Sequence, residues 1–498
     1  MSNGPLGDAA SDGLDDLLST PQAGPAAVRG GGARLAGFFA GALASAASAA
    51  LLFRHLGVTD TGRYVTILSL TAIVGGFSDL GLTAVGVREA SVRGAGERAE
   101  LLRELLGLRL TLTVLGVAVL ALLAGVGYSG AIVAGIVIAG VGLLLQVTQD
   151  NYTVLLQVEL RLGWMAVLDV LRQVGTLAFV GALVLAGAHL LAFVAVAIAI
   201  GLVCLAFAVA LVRGRRSLLP AFHLSRWRPM IAEVLPYSVA VAASALYFRV
   251  AIVMTSAFSS SHQLGLFSAS FRIIEFLTIV PALLAGAALP IFSRAARDDE
   301  DRLGYALGRV FEVALLVGAW LAVSLAVGAP LAISLLAGHQ FAAAAGPLQL
   351  LGIALAGTFV SVVWSNALLS LRRHGDLLRI TLGVLCMGVL LTGALAALDG
   401  ATGAAAGLAA SEVTVAVVNA LVVVRRRPAL RPSLRVLPRA ALAVAVSLSP
   451  MLLDIPVIAQ LAISTPLYLL VLVLTRALPP ELGALLPALA RGRRGAAR

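Results

Sequence analysis

The residues of this sequence that could do chemistry lie inside apolar stretches: Asp79, Asp150, Asp169, Arg172, Arg249, Arg272, Glu275, Glu312 and Glu412. An ionised group at the centre of a bilayer costs about 2.5–3.5 kcal/mol on insertion scales, so such groups face a bundle interior, pair, or line water. Two kinds of chemistry are open to them. Arginine forks recognise anions, and carboxylates answer to protons or cations. Covalent catalysis has no candidates: the sequence lacks a phosphate-cradling Gly loop, a His or Cys cluster, and a nucleophile elbow. Every one of the 36 basic residues is arginine, which also excludes a lysine-dependent nucleotide loop. No metal and no cofactor is implied.

These residues must be held by membrane helices. Apolar residues make up 60% of the chain and charged residues only 12%, too little polar surface for a soluble chain of this length. About 20 apolar residues cross a hydrocarbon core of about 30 Å. That ruler gives spans near 35–57, 64–87, 106–128, 131–157, 163–187 and 189–212. A second set lies near 231–258, 263–291, 306–328, 343–369, 377–397 and 402–424, with two more near 438–455 and 457–476. The expected fold is all-α, a polytopic membrane protein with about fourteen helices.

The domains follow from these spans. Residues 1–34, rich in Gly, Pro, Ala and Asp, form a disordered cytoplasmic tail without the apolar core of a signal peptide. Bundles of six spans occupy 35–213 and 231–424. Basic linkers lie at 214–230 and 425–437, two extra helices at 438–476, and a basic tail at 477–498.

Arginine distribution sets the direction. Alternate connections carry Arg88/Arg93/Arg98/Arg103, Arg161, Arg213/Arg215/Arg216, Arg294/Arg297/Arg302, Arg372/Arg373 and Arg425/Arg426/Arg427, whereas the others hold only Arg54 and Arg63. The positive-inside rule then places both termini in the cytoplasm of a bacterial cell. The net charge of +11, confined to these connections, suits anionic headgroups and not nucleic acid. The isolated Cys204 and Cys386 build neither a disulfide framework nor a metal site.

The second six spans echo the first. Thr61-Gly62-Arg63-Tyr64 matches Leu264-Gly265-Leu266-Phe267, Leu106-Gly107 matches Leu307-Gly308, and Gln149-Asp150-Asn151 matches Trp364-Ser365-Asn366. An even number of spans per copy gives both halves one orientation, related by an axis along the membrane normal.

Gly62-x-Tyr64, Phe77-Ser78-Asp79-Leu80-Gly81-Leu82 and Val87-Arg88-Glu89-Ala90 resemble the span-2 signature of Wzx-type oligosaccharide flippases. These belong to the multidrug/oligosaccharidyl-lipid/polysaccharide exporter superfamily. Tyr247-Phe248-Arg249-Val250, Gly265-Leu266-Phe267-Ser268 and Pro290-Ile291-Phe292 resemble its second half. The resemblance implies two six-helix bundles of MATE-like form around a cavity of alternating access, and a polyprenyl-diphosphate-linked oligosaccharide as substrate. It also implies that the two last helices are similar to those forming a lipid-tail groove in related lipid II flippases. One departure stands out: where relatives carry an acid just after the span-7 arginine, this chain has Ala251.

Within that frame, Gly265, Ser268, Arg272, Glu275 and Thr278 recur at three- and four-residue steps and form one polar stripe. Arg272 and Glu275 either satisfy each other or line a cavity. Arg249 and Arg272 each lie about nine residues, roughly 13 Å, from the outer ends of their spans. Two guanidinium groups at one depth need an anion, either a substrate diphosphate or Glu275 or Glu312. Arg54 and Arg63 either snorkel to headgroups or receive the substrate as it leaves. Asp79 and Glu312 are the candidates for ion coupling, with Asp79 alternatively capping a helix or pairing with Arg88. Asp150, Asp169 and Arg172 are expected to form a structural pin between spans 4 and 5.

The preferred reading is an alternating-access flippase working for cell-surface polysaccharide synthesis, with a polymerase or ligase of the same pathway as partner. A proton- or sodium-coupled drug exporter of the same superfamily is the runner-up. It calls for a cavity rich in acids and aromatics, and only 6% of the residues are aromatic. A membrane glycosyltransferase would need large outer loops, which are missing. A scaffold would have no need of charges stacked in the bilayer.

Overall fold

The structure, a computed structural model, describes residues 23–159, 161–212, 219–228, 231, 249–298 and 300–477. The expected tail up to residue 22, the first part of span 7 with Tyr247 and Phe248, and residues 478–498 lie outside them. The N-terminal half comprises α1 (Ala23–Asp79), α2 (Leu82–Val92), α3 (Ala95–Gly127), α4 (Gly130–Val158), α5 (Leu162–Leu185) and α6 (Leu190–Leu211). The C-terminal half comprises α7 (Arg249–Phe258), α8 (Ser261–Leu277), α9 (Ile279–Asp298), α10 (Glu300–Leu336), α11 (Ala345–Ser370) and α12 (His374–Arg426). Helices α13 (Val436–Ser447) and α14 (Val457–Leu474) follow and pack on α10.

Among the described residues, ten helices are long and apolar enough to cross a membrane. Two of them turn back on themselves. Helix α1 breaks at Gly57, whose φ of 73° suits a residue without a Cβ, so that residues before and after it line one cavity. Helix α12 reverses at Asp399–Gly400. There Gly403 lies so close to the Leu395 carbonyl that a Cβ would come within 1.9 Å of it. Counting both arms of each hairpin, and the shorter apolar helices Arg249–Phe258 and Val436–Leu452, recovers the passages read from hydropathy.

Some boundaries differ from expectation. The first helix starts at Ala23, inside the stretch expected to be disordered. Span 2 is broken at Leu80 and Gly81, whose φ values are 42° and 78°. Asp79 explains this break: its carboxylate accepts hydrogen bonds from the Gly81 and Thr83 backbone N–H groups, both at 3.3 Å. These donors have no intrahelical partner at the start of α2. The Asp-Leu-Gly-Leu motif is thus a helix break with its own cap.

The halves differ in how their cores are filled. In the C-terminal half, Phe267, Phe311, Phe341, Phe359 and Trp364 belong to one continuous apolar cluster. The N-terminal core is divided into one cluster around Leu102, Leu156 and Cys204 and another around Ile67, Ile136 and Val194. Residues 219–228, between the halves, dock on the end of α3. Arg103 donates to the Leu219 carbonyl at 3.0 Å, His223 meets Glu104 at 2.5 Å, and Arg226 pairs with Glu100. The Arg226 guanidinium holds the Glu100 carboxyl below its usual pKa.

Candidate substrate cavity

A cavity of about 560 Å³ lies between the halves. Both arms of α1 supply Ser45, Ser48, Tyr64 and Ser69, α5 supplies Arg172 and Thr176, α7 supplies Arg249, and α8 supplies Ser268, Arg272 and Glu275. The structure therefore brings Arg249 and Arg272 together, and adds Arg172 opposite them. Arg272 is held on three sides. It donates to Glu275 at 2.8 Å and to the Ser45 hydroxyl at 2.6 Å, and its guanidinium lies 5.0 Å from the Phe276 ring centre. Arg249 has no hydrogen-bond or ion-pair partner among the described residues, and Ala251 is buried in the apolar core beside it.

Among the described residues the charged lining consists of three arginines and one glutamate, leaving two positive charges unbalanced. In a cavity shielded by apolar helices such an excess is costly unless an anion or water meets it. Arginine forks at fixed positions favour a planar or tetrahedral oxyanion.

The remaining charges lie elsewhere. The expected pin of Asp150, Asp169 and Arg172 does not form: Arg172 donates instead to Gln149 Oε1 at 2.6 Å. Neighbouring positions on a helix point about 100° apart, so with Gln149 facing α5, Asp150 turns toward α3. There it lies 4.0 Å from Arg109. Asp79 pairs with that same Arg109 at 3.0 Å, not with Arg88, and Arg88 pairs with Glu89. Glu312 pairs with Arg309 at 2.8 Å and so is not the counter-ion of Arg249 or Arg272. Glu412 is buried between α11 and α12, accepting a hydrogen bond from Thr358 at 2.9 Å.

Arg54 and Arg63 are outside the cavity. Arg63 pairs with Asp60 at 2.9 Å. Arg54 donates to the Leu335 carbonyl at 2.6 Å at the end of α10, bridging the halves at the end that carries few arginines. Beneath it α1 and α8 cross closely: a Cβ on Gly62 would come within 1.8 Å of the Ser261 carbonyl, and one on Gly265 within 2.0 Å of the Val58 carbonyl. The cavity is closed there.

Sequence reasoning missed Arg109, Arg309 and the cavity role of Arg172. Arg109 and Arg309 follow Leu106-Gly107 and Leu307-Gly308 by one or two residues, and that flanking position read as a span boundary. The extension of α3 and α10 well before those glycines instead places them within long helices, where Arg109 is buried and Arg309 half-buried.

The arrangement is that of a multi-pass membrane protein with a central cavity lined by arginines. The polysaccharide biosynthesis protein family matches residues 27–296, more than half of the chain, and the chain belongs to that family. No curated protein matches it. Among solved structures it is similar to the lipid II flippase MurJ in an inward closed conformation. The TM-score is 0.71 and the identity 12%, over 89% of this chain and 98% of that one. It is also similar to an inward-facing multidrug resistance MATE family transporter of the MOP superfamily. Here the TM-score is 0.60 and the identity 15%, over 78% of this chain and 95% of that one. Those likenesses establish the fold: two MATE-like bundles with additional C-terminal helices.

Proposed function

We propose that the chain is an alternating-access flippase for a polyprenyl-diphosphate-linked oligosaccharide, carried from the inner to the outer leaflet of the bacterial cytoplasmic membrane. One observation carries this reading: three arginines and a single glutamate converge on the cavity between the halves. A diphosphate esterified at both ends keeps one ionised oxygen on each phosphorus, which matches the two unbalanced positive charges. Arg249 and Arg272 hold it from the C-terminal half and Arg172 from the other, so the bound lipid ties the halves together. A cationic drug would meet the wrong sign, which disfavours the exporter reading. With both termini in the cytoplasm, the closed end faces outward. Arg54 and Arg63 then serve at the exit, as clasp and headgroup contact. The product feeds a polymerase or ligase acting on the outer face.

The test is binding of a polyprenyl-diphosphate sugar to folded variants in nanodiscs. Arg249→Gln and Arg272→Gln should each weaken it by roughly ten- to hundredfold, the loss expected for a charge-assisted hydrogen bond. Lysine should restore only part, since it lacks the fork. Unchanged affinity in both folded variants removes the diphosphate from the cavity.

A further inference from the structure

A second cavity, of about 250 Å³, lies within the N-terminal half among α1, α4, α5 and α6. It sits where the N-terminal core divides. Ala139 and Val194 on its wall belong to one apolar cluster, and Ile200 to the other.

Its lining identifies the occupant. Tyr64, Leu68, Arg172 and Thr176 line both this chamber and the central cavity, so the two communicate past Arg172. Among the described residues, Arg172 is the only charged residue on the chamber wall. Gln146 lies on the wall with no hydrogen-bond partner among the described residues. The Thr71 and Thr176 hydroxyls donate to the Ile67 and Arg172 carbonyls, which leaves their lone pairs free to accept. Tyr64 and Phe193 add aromatic surface, and the rest of the wall is aliphatic. A site of this kind takes a group that is anionic at the mouth and neutral inside, with both apolar faces and a few hydroxyls. A pyranose ring has those features. An isoprenoid tail does not, because it would leave the Gln146 amide dry and unpaired. Ligand pockets of drug size run to roughly 300–1,000 Å³. The smaller chamber suits one ring rather than a chain of them.

Resting on the diphosphate reading above, we infer that this chamber is the subsite for the sugar joined directly to the diphosphate. Gln146 is its specificity-determining residue, and the remaining sugars extend into the central cavity.

The experiment uses the full chain in nanodiscs with two probes, farnesyl diphosphate and farnesyl-diphosphate glucose. Gln146→Leu and the chamber-filling Ala72→Leu should lower the affinity gained from the sugar by roughly three- to tenfold, the worth of one or two hydrogen bonds. Both should leave farnesyl diphosphate within about twofold of its original affinity. As an independent readout, Gln146→Cys, with Cys204 and Cys386 replaced by alanine, should be shielded from maleimide by the sugar-bearing probe and not by the sugar-free one. Equal shielding by both probes, or an unchanged sugar increment in Gln146→Leu, overturns the subsite. The Arg249→Gln variant separates the two readings. Sugar-free binding that ignores Arg249 while Gln146→Cys is shielded only by the sugar probe keeps the chamber and removes the diphosphate site. Should Ala72→Leu fail to fold, the Gln146 variants decide, because that side chain makes no hydrogen bond among the described residues.

Discussion

Arg54 and Gln340 clasp one another's segments: Arg54 donates to the Leu335 carbonyl at 2.6 Å, and Gln340 donates back to the Arg54 carbonyl at 3.1 Å. The first bond satisfies an orphan carbonyl at the end of α10, and the second one in the turn of α1. Each donor comes from the half opposite its acceptor. A reciprocal pair of this kind breaks only when the halves part.

Combining Arg54→Gln with Gln340→Ala should therefore favour the open form by about 1–2 kcal/mol, roughly five- to thirtyfold in population. Labelling of a cysteine placed at Ser268, by an impermeant maleimide added outside intact cells, should rise accordingly. Labelling unchanged from the parent would show that the clasp holds nothing.

The crossing of α1 and α8 sets a second condition for closure. A methyl group at Gly62 or Gly265 would meet a backbone carbonyl, which cannot rotate away as a side chain can. Gly62→Val and Gly265→Val should leave folded protein in detergent but prevent the outer end from sealing. Transport should fall to background while the Ser268→Cys reporter reacts constitutively. A variant that seals and transports normally would mean the helices have room to slide.

The N-terminal charge cluster should be a matter of stability. Arg109 is 4% exposed, with Asp79 at 3.0 Å and Asp150 at 4.0 Å. Arg109→Leu leaves two part-buried carboxylates without their cation, a loss of about 1–3 kcal/mol. Asp79→Asn should be milder, since Asp150 remains and an amide oxygen can still cap α2. Thermal unfolding in detergent measures both, and an equal effect of the two would contradict this ranking.

Asp169 and Arg172 separate a bystander from a working group. Asp169 forms no ion pair with Arg172, so Asp169→Asn should leave folded yield and transport near parent values. Arg172→Gln should lower affinity for a polyprenyl-diphosphate sugar by roughly tenfold with little loss of yield. Yield by fluorescence-detected size exclusion and binding in nanodiscs give the two readings. A collapse of yield in Asp169→Asn would restore the interhelical pin.

How far the sequence discloses this protein can be seen in those same residues. The spans are legible because a bilayer demands a run of apolar residues, and Gly57 and Asp399–Gly400 lie where the hydropathy breaks. The equal depth of Arg249 and Arg272 follows from helical rise alone. Partner choice does not, because it depends on how each helix is rotated about its axis. Gln149 and Asp150 are adjacent in sequence and serve different neighbours, α5 and α3. Nor does a flank show how deep it lies: Arg109 reads as a boundary residue until α3 is known to start at Ala95.

The Asp79–Arg109–Asp150 cluster also bears on how the protein is made. Its three members come from three successive passages of the nascent chain. Each would cost about 2.5–3.5 kcal/mol if released into lipid alone. The first hairpin carries Asp79 before Arg109 has been synthesised, and Arg109 reaches the bilayer before Asp150 does. Holding the early helices beside the insertion machinery until the fourth passage arrives would spare each of them that cost, which favours assembly of this half as a unit over release helix by helix.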